Sequence, residues 1–401
     1  MPVGAAHAGA KLALFLALVA NVTGQAYLFV VLPALGRRMD FPDVATGAVL
    51  SISALLLIAA APAWGYVSER IGRRPVILAA LAGAGLGLIA FGLVTAARLG
   101  GALGAMPALG LVFAARAFQV LFVGGLLPSV QAYMADITTP QQRVGGMGLI
   151  GAAYGLGAIG GAGLAWRTGG SDPALPFFLA AAFVAVAIAL VCVLAHEPER
   201  HAAAMGDTRD RPLARIWPFV VITLTAFSAY AIVQQVMTLR LQDSFGFSVE
   251  ESITRAGMGL LVTALAMVIV QGAVVRLLGW QPERLLLAGA AVGAAAVLVC
   301  GLVRSYGETL AVLAVFGAAL GLMLPGNLAC LSLRAGPGAQ GKAAGINMMG
   351  QGLGLAAGPL AGAALHQVSP LAPFAAAAVL LVAATALAAG AGRRRAAPDT
   401  A

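Results

Sequence analysis

The feature that most limits what this chain can become is a succession of apolar runs, each about 20 residues long, separated by short clusters of charge and turn residues. About 20 helical residues cross a hydrocarbon core of about 30 Å. Runs of this length occupy 12–35, 46–66, 75–97, 107–131, 144–165, 174–195, 216–239, 255–275, 284–303, 308–331, 343–365 and 372–392, twelve in all. With no water to satisfy backbone N–H and C=O groups, each run must close its own hydrogen bonds, which selects helix. The predicted fold class is an all-α polytopic membrane protein with twelve transmembrane helices. Composition excludes a soluble body. Only 10% of the 401 residues are charged and 61% are hydrophobic, whereas a soluble domain is charged at about a quarter of its positions. Twelve crossings leave about 160 residues for connections, too few for a large soluble domain. The first run follows Lys11 and lacks a cleavage site ahead of a polar mature domain, so it is read as a first span, not a signal peptide.

The net charge of +9 is a matter of placement. If both termini are cytoplasmic, the outside segments hold only Arg37, Arg38, Arg98, Arg167, Arg240, Arg255 and Arg304. Sixteen basic residues lie inside, and Arg116 lies within a span. This is the positive-inside asymmetry, so the basic excess reports topology and not nucleic-acid binding. The longest and most charged connection, HEPERHAAAMGDTRDRPLAR, has six spans on either side. It divides the chain into an N-terminal six-helix bundle (1–195), a cytoplasmic linker (196–215) and a C-terminal six-helix bundle with a short basic tail (216–401).

Duplicated halves should leave matching turn residues at matching places. Gly65-Tyr-Val-Ser-Glu-Arg-Ile-Gly72-Arg-Arg-Pro75 after span 2 and Gly272-Ala-Val-Val-Arg-Leu-Leu-Gly279-Trp-Gln-Pro282 after span 8 share the spacing G-x6-G-x2-P. Each Gly lets helix ends approach or the chain turn, and each Pro suits a helix start. Spans 5 and 11 are both glycine-rich (Gly151, Gly155, Gly157, Gly160, Gly161, Gly163; Gly350, Gly352, Gly354, Gly358, Gly362), as close backbone packing requires.

These motifs resemble the major facilitator superfamily over essentially the whole chain. The loop Gly65–Pro75 is similar to the signature between helices 2 and 3, with Glu69 where most members have Asp. Arg116 in Ala-Ala-Arg-Ala-Phe-Gln-Val resembles the arginine motif of helix 4, and Gly155-Leu-Gly-Ala-Ile-Gly-Gly161 resembles the helix 5 motif of antiporting exporters, with Ala158 in place of the usual Pro. The resemblance implies two pseudo-symmetric six-helix bundles around a cavity that opens alternately to each side, lined mostly by helices 1, 4, 7 and 10. It also implies a gating and coupling role for Gly65, Glu69, Arg70, Gly72, Arg73, Arg74 and Asp136, with Glu69, Arg73 and Asp136 forming a charged cluster at the inner ends of spans 2 to 4.

Polar side chains at membrane depth are costly and therefore informative. Arg116 lies about nine residues into span 4, too deep for easy snorkelling, and shares a face with Gln119. Direct contact with an anionic substrate group or participation in coupling is the favoured role, with structural hydrogen bonding to backbone or neighbouring helices and snorkelling to the interface as the alternatives. Asn21 and Gln25, Tyr230 and Gln234, and Asn347 and Gln351 are i,i+4 pairs, while Asn327 stands alone in span 10. For Asn21, Gln25, Gln234 and Asn327, substrate contact and interhelical bonding are equally open; Asn347, Gln351 and Gln271 read as interhelical. None of the 15 acidic residues falls near the middle of a span. A cavity with an Arg and no carboxylate favours an anionic, zwitterionic or neutral substrate over a cation. His7, His196, His201 and His366 lie near ends or loops, out of place for a buried relay. Cys192, Cys300 and Cys330 stand singly and read as small buried hydrophobes.

Metal and nucleophile constellations that an integral-membrane enzyme needs do not appear in the sequence, nor do paired intramembrane His for haem. The expected protein is a secondary transporter, not an enzyme, with no cofactor and no metal. It moves a small organic molecule across a bacterial-type inner membrane by alternating access, as a proton-coupled exporter of a drug or metabolite. The alternative is uptake of an organic anion, amino acid or related metabolite. Its partners are the substrate, protons and membrane lipids, without nucleic acid, and it works as a monomer.

Overall fold

The computed structural model describes residues 3–138, 143–168, 172–198, 213–336 and 340–393. They are almost wholly helical: α1 (Val3–Arg38), α2 (Asp43–Ile71), α3 (Arg73–Leu99), α4 (Ala105–Val123), α5 (Leu126–Asp136), α6 (Arg143–Thr168), α7 (Leu175–Leu194), α8 (Leu213–Asp243), α9 (Val249–Ile269), α10 (Val275–Leu278), α11 (Pro282–Leu302), α12 (Tyr306–Ala335), α13 (Gln340–Val368) and α14 (Ala372–Arg393). Among the described residues, eleven helical stretches are long and apolar enough to cross a membrane. The remaining expected span, 343–365, lies in α13, a 29-residue helix diluted by Asn347, Gln351 and seven glycines. Of the expected linker, 199–212 lie outside the described residues.

Two of the spans are interrupted. The fourth breaks into α4 and α5 at Gly124-Gly125, where the Gly125 N–H bonds back to Phe122 O at 3.1 Å. The Leu121 carbonyl, which Gly125 would satisfy in a regular helix, instead accepts from Trp64 Nε1 of α2 at 2.5 Å. Pro128 then leaves the Gly124 carbonyl without its helical donor, so the kink has two local causes. The eighth span runs from α9 through a π-helical turn, Val270–Val274, into α10; such single turns are how an extra residue is absorbed into a helix.

The chain divides into two units, Met1–Ala203 with Ser248–Met258, and Ala204–Phe247 with Gly259–Ala401. Each repeats one packing scheme. In the first, α1 packs chiefly on α6 and α7, and α3 on α4 and α7; in the second, α8 packs chiefly on α13 and α14, and α11 on α12 and α14. Lipid tails are as apolar as Leu, so close contact holds helices together in a membrane more than burial from water does. The glycine runs supply it. A Cβ on Gly161 of α6 would lie 2.6 Å from Thr23 O and Tyr27 N of α1, and one on Gly354 of α13 would lie 2.5 Å from Leu224 O of α8. Behind α1, Tyr27 meets Phe177 edge-on at 5.1 Å, and Phe177 stacks on Phe91 at 5.7 Å.

The repeated loop divides its work differently from the sequence expectation. Gly72 (φ 114°) and Gly279 (φ 56°) turn the chain, and Pro282 opens α11. Gly65 and Gly272 make no close approach, since a Cβ at either would meet nothing within 4 Å. Their positions are helical: Gly65 lies inside α2 and Gly272 inside the π-helical turn.

Candidate functional site

The charged cluster of the first unit is built on Gly72. Its backbone conformation, φ 114° and ψ 160°, is one that essentially only glycine adopts. It swings the chain from α2 into α3, so that the Arg73 and Arg74 N–H groups, orphaned at a helix start, point out together. Glu197 fills that position. Its Oε1 accepts from Arg73 N at 2.6 Å and its Oε2 from Arg74 N at 2.9 Å, a carboxylate at the positive end of a helix dipole. The Arg73 side chain turns inward, donating from Nη1 to Ser68 Oγ at 2.9 Å and placing Nε 3.6 Å from Asp136 Oδ2. Both of these last atoms are buried and make no hydrogen bond, so the pair is an ion pair just beyond bonding contact. Arg74 Nη2 donates to Cys192 O at 2.8 Å, and Tyr133 OH donates to His196 O.

The expected trio of Glu69, Arg73 and Asp136 is therefore met in part. Arg73 and Asp136 are brought together, and the second carboxylate, the one against Gly72, is Glu197. Glu69 and Arg70 are exposed, with the Arg70 guanidinium 4.4 Å over the Tyr66 ring. Sequence reasoning missed Glu197, Ser68 and Tyr133. The one available signal was the acidic start of the linker, and nothing local ties it to a loop 123 residues earlier.

Arg116 is 3% exposed and donates from Nη1 to Gln119 Oε1 at 2.5 Å. Gln119 Nε2 donates in turn to Ala84 O of α3 at 3.3 Å, and the Gln119 side chain lies where a Cβ on Gly87 would stand. The Gln119 side chain thus turns toward α3. Arg116 Nε is buried without a partner, and among the described residues no carboxylate lies within ion-pair distance. In the same unit Asn21 is buried with its Oδ1 unpartnered, and Gln25 is half-buried. A crevice of about 240 Å3 lies between α1, α6 and α7, lined by Thr23, Gly160, Leu164, Leu179, Ala180 and Phe183, and includes none of the expected substrate residues.

In the second unit, Asn327 of α12 donates to Phe219 O at 2.9 Å and to Thr223 Oγ1 at 2.8 Å, both on α8. Thr223 donates onward to Asn347 Oδ1 of α13 at 2.6 Å. Three helices are thus tied through one hydroxyl that sequence reasoning passed over. Asn327 Oδ1 remains buried and unpartnered. Gln234 Nε2 donates to Tyr230 OH at 3.1 Å, as the i,i+4 spacing allows, and Gln271 is exposed in the π-helical turn. His366 lies near the end of α13, as expected, and is buried there, pairing with Asp243. One expectation needs correction. Cys192 is exposed while Cys300 and Cys330 are buried. No group of three His, Cys, Asp or Glu suited to a metal ion occurs among the described residues.

The model of the Major Facilitator Superfamily matches residues 14–359. The chain belongs to the Major Facilitator Superfamily. It is similar to Multidrug resistance protein 1 of Bacillus subtilis (strain 168), with 26% identity over 86% of both chains. It is also similar to the class D tetracycline resistance protein of Salmonella ordonez, with 27% identity over 85% of both. Among solved structures, the human organic anion transporter MFSD10 (TETRAN) superposes with a TM-score of 0.69 at 19% identity, covering 97% of this chain and 100% of that one. A bacterial homologue of the lysosomal transporter Spinster, inward-facing and unoccupied, gives 0.73 at 15% identity over 97% of both. At such identities the structural likeness shows the fold: two pseudo-symmetric helical bundles. This superfamily member is a multi-pass membrane protein and a secondary transporter of a small organic molecule by alternating access, and not an enzyme.

Proposed function

We propose that this transporter is a proton-coupled exporter, in a bacterial inner membrane with both termini cytoplasmic, of a small molecule that is anionic, zwitterionic or neutral more than cationic. The observation that carries the substrate class is Arg116, a buried guanidinium whose described side-chain partner is a neutral amide. A buried charge without a counter-charge is costly, and a substrate carboxylate or phosphate would supply one. The multidrug and tetracycline resistance proteins it resembles support efflux as the direction. In this reading Arg116, Gln119, Asn21, Gln25, Tyr230, Gln234 and Asn327 contact substrate in the halves 1–195 and 216–401. Gly65, Glu69, Arg70, Gly72, Arg73, Arg74 and Asp136 form the gate, and Glu197 joins them as the cap of α3. The protein works as a monomer among its lipids.

A thermal-shift screen of the purified protein against organic anions, zwitterions and lipophilic cations tests the substrate class, because a ligand stabilises the state it binds. Anions or zwitterions should raise the unfolding temperature in the wild type and lose that effect in Arg116→Gln. Selective stabilisation by cations, undiminished in Arg116→Gln, would overturn the assignment.

A further inference from the structure

The fourth span joins residues assigned to two different tasks, and it is broken between them. α4 carries Arg116 and Gln119, proposed to contact substrate, and α5 carries Asp136, proposed to gate; Gly124-Gly125 separates the two helices. At the break the Gly125 N–H bonds to Phe122 O at 3.1 Å, and the regular pattern resumes with the Ser129 N–H on Gly125 O at 3.3 Å. That leaves the Leu121 carbonyl without its helical donor, a costly state in lipid. The donor comes from another helix, as Trp64 Nε1 of α2 at 2.5 Å. Trp64 stands immediately before Gly65, the first residue of the gate motif.

What the two glycines leave out makes room for the indole. A Cβ on Gly125 would stand 2.9 Å from Trp64 Cγ and 2.8 Å from Val76 Cγ1 of α3, and one on Gly124 would stand 3.0 Å from Ala60 Cβ of α2. The Trp64 ring lies 5.8 Å from that of Phe122, which lies 4.9 Å from that of Phe118. Phe122 in turn occupies the space that a Cβ on Gly83 of α3 would need. α4 is thus fixed on α2 and α3 just before the break, and a change of bend is taken up by α5.

We propose that Trp64 is a positioning residue of the transporter: by donating to Leu121 O it holds span 4 bent, and so sets where α5 presents Asp136 to Arg73. This rests on the gating role proposed above for Asp136 and names what positions it. The Leu121 carbonyl has two alternative donors. In the bent span it takes the indole N–H, and in a straight span it takes the Gly125 N–H at the regular i→i−4 position. Either arrangement satisfies the carbonyl, which gives the span two discrete states of similar bonding, the property a hinge needs. α5 is the lever. Asp136 lies 11 residues beyond Gly125, about 16 Å along a helix, so a change of bend of roughly 10° moves it by about 3 Å. Arg73 Nε and Asp136 Oδ2 are 3.6 Å apart, so a displacement of that size decides whether the ion pair is engaged.

Trp64→Phe keeps an aromatic ring and removes the donor, whereas Gly125→Ala keeps the donor and sets a methyl group against the ring. Trp217→Phe, at an exposed tryptophan of α8, is the control. Spin labels at the exposed Leu93 of α3 and at Ile137, which follows α5, report the position of α5 by double electron–electron resonance. The background is Cys192→Ser, since Cys192 is exposed while Cys300 and Cys330 are buried. Trp64→Phe and Gly125→Ala should each shift the label distance by about 2–4 Å, and Trp217→Phe should not. A distance that neither variant moves would overturn the proposal. The second readout is thermal unfolding of Trp64→Phe, Asp136→Asn and the double variant. Sites this far apart ordinarily add, but here the double variant should lose less than the sum, because the first substitution has already displaced Asp136. Strict additivity would reduce Trp64 to a local cap and overturn its positioning role. Size-exclusion profiles confirm that the variants are folded. The two readings fail separately. A moving α5 in a protein whose transport ignores Asp136→Lys keeps the role of Trp64 and removes the gate. An α5 that stays in place in a protein crippled by Asp136→Lys keeps the gate and overturns the role of Trp64.

Discussion

Replacing Gly72 by Ala puts a single methyl group into the most constrained point of the charged cluster. Two costs add. An L-residue at φ 114° and ψ 160° is strained by about 1–3 kcal/mol. The new Cβ would also stand 2.7 Å from the Glu197 carboxylate and push it off the Arg73 and Arg74 N–H groups, losing a helix cap worth about 0.5–2 kcal/mol. The expected destabilisation is therefore about 1.5–5 kcal/mol. Gly65→Ala provides the internal control. Gly65 belongs to the same motif but lies inside α2, and its Cβ would meet nothing; helix propensity alone makes Ala better there by about 0.5–1 kcal/mol. The assay is thermal unfolding of the two purified variants in one detergent, with Glu197→Ala and the double variant Gly72→Ala/Glu197→Ala completing a cycle. Gly72→Ala should lower the unfolding temperature and Gly65→Ala should not. The double variant should cost less than the sum of its parts, since the cap can be lost only once. Equal effects at positions 65 and 72, or strict additivity with Glu197→Ala, would refute the reasoning.

Thr223→Val removes the hydroxyl that joins Asn327 to Asn347 and leaves a buried amide donor unpaired. Hydrogen bonds between membrane helices are worth about 0.6–1.7 kcal/mol, so a loss near the upper figure is expected in thermal unfolding, and less for Thr223→Ser, which keeps the hydroxyl. Asp136→Lys turns the attraction to Arg73 across 3.6 Å into repulsion. A bias of a few kcal/mol suffices to change which opening is populated, so transport in reconstituted vesicles should fall at least about tenfold while membrane insertion persists; unaltered transport would defeat a gating role for the cluster.

Much of the architecture was legible in the chain because each part of it is a local decision. A run of about 20 apolar residues must satisfy its own backbone in lipid, and that fixes helices one at a time without reference to neighbours. The turn positions Gly72 and Gly279 and the helix-opening Pro282 are local in the same sense. The glycine-rich spans 5 and 11 announced close packing, although not that α1 and α8 would be the partners.

Apart from Arg73 and Asp136, whose meeting the family resemblance implied, the site was legible where its residues share a helix turn, as do Arg116 with Gln119 and Tyr230 with Gln234, since i,i+3 and i,i+4 neighbours meet whatever the tertiary structure. Which face of each helix looks inward was not written in the sequence, because helices apolar all round give no stripe to orient them. The tertiary structure decided that Glu197 would cap α3 across 123 residues, that Thr223 would join α12 to α13, and that His366 would reach Asp243. Each of these pairs groups far apart in the chain, so it exists only once packing has set the positions of the segments that carry them.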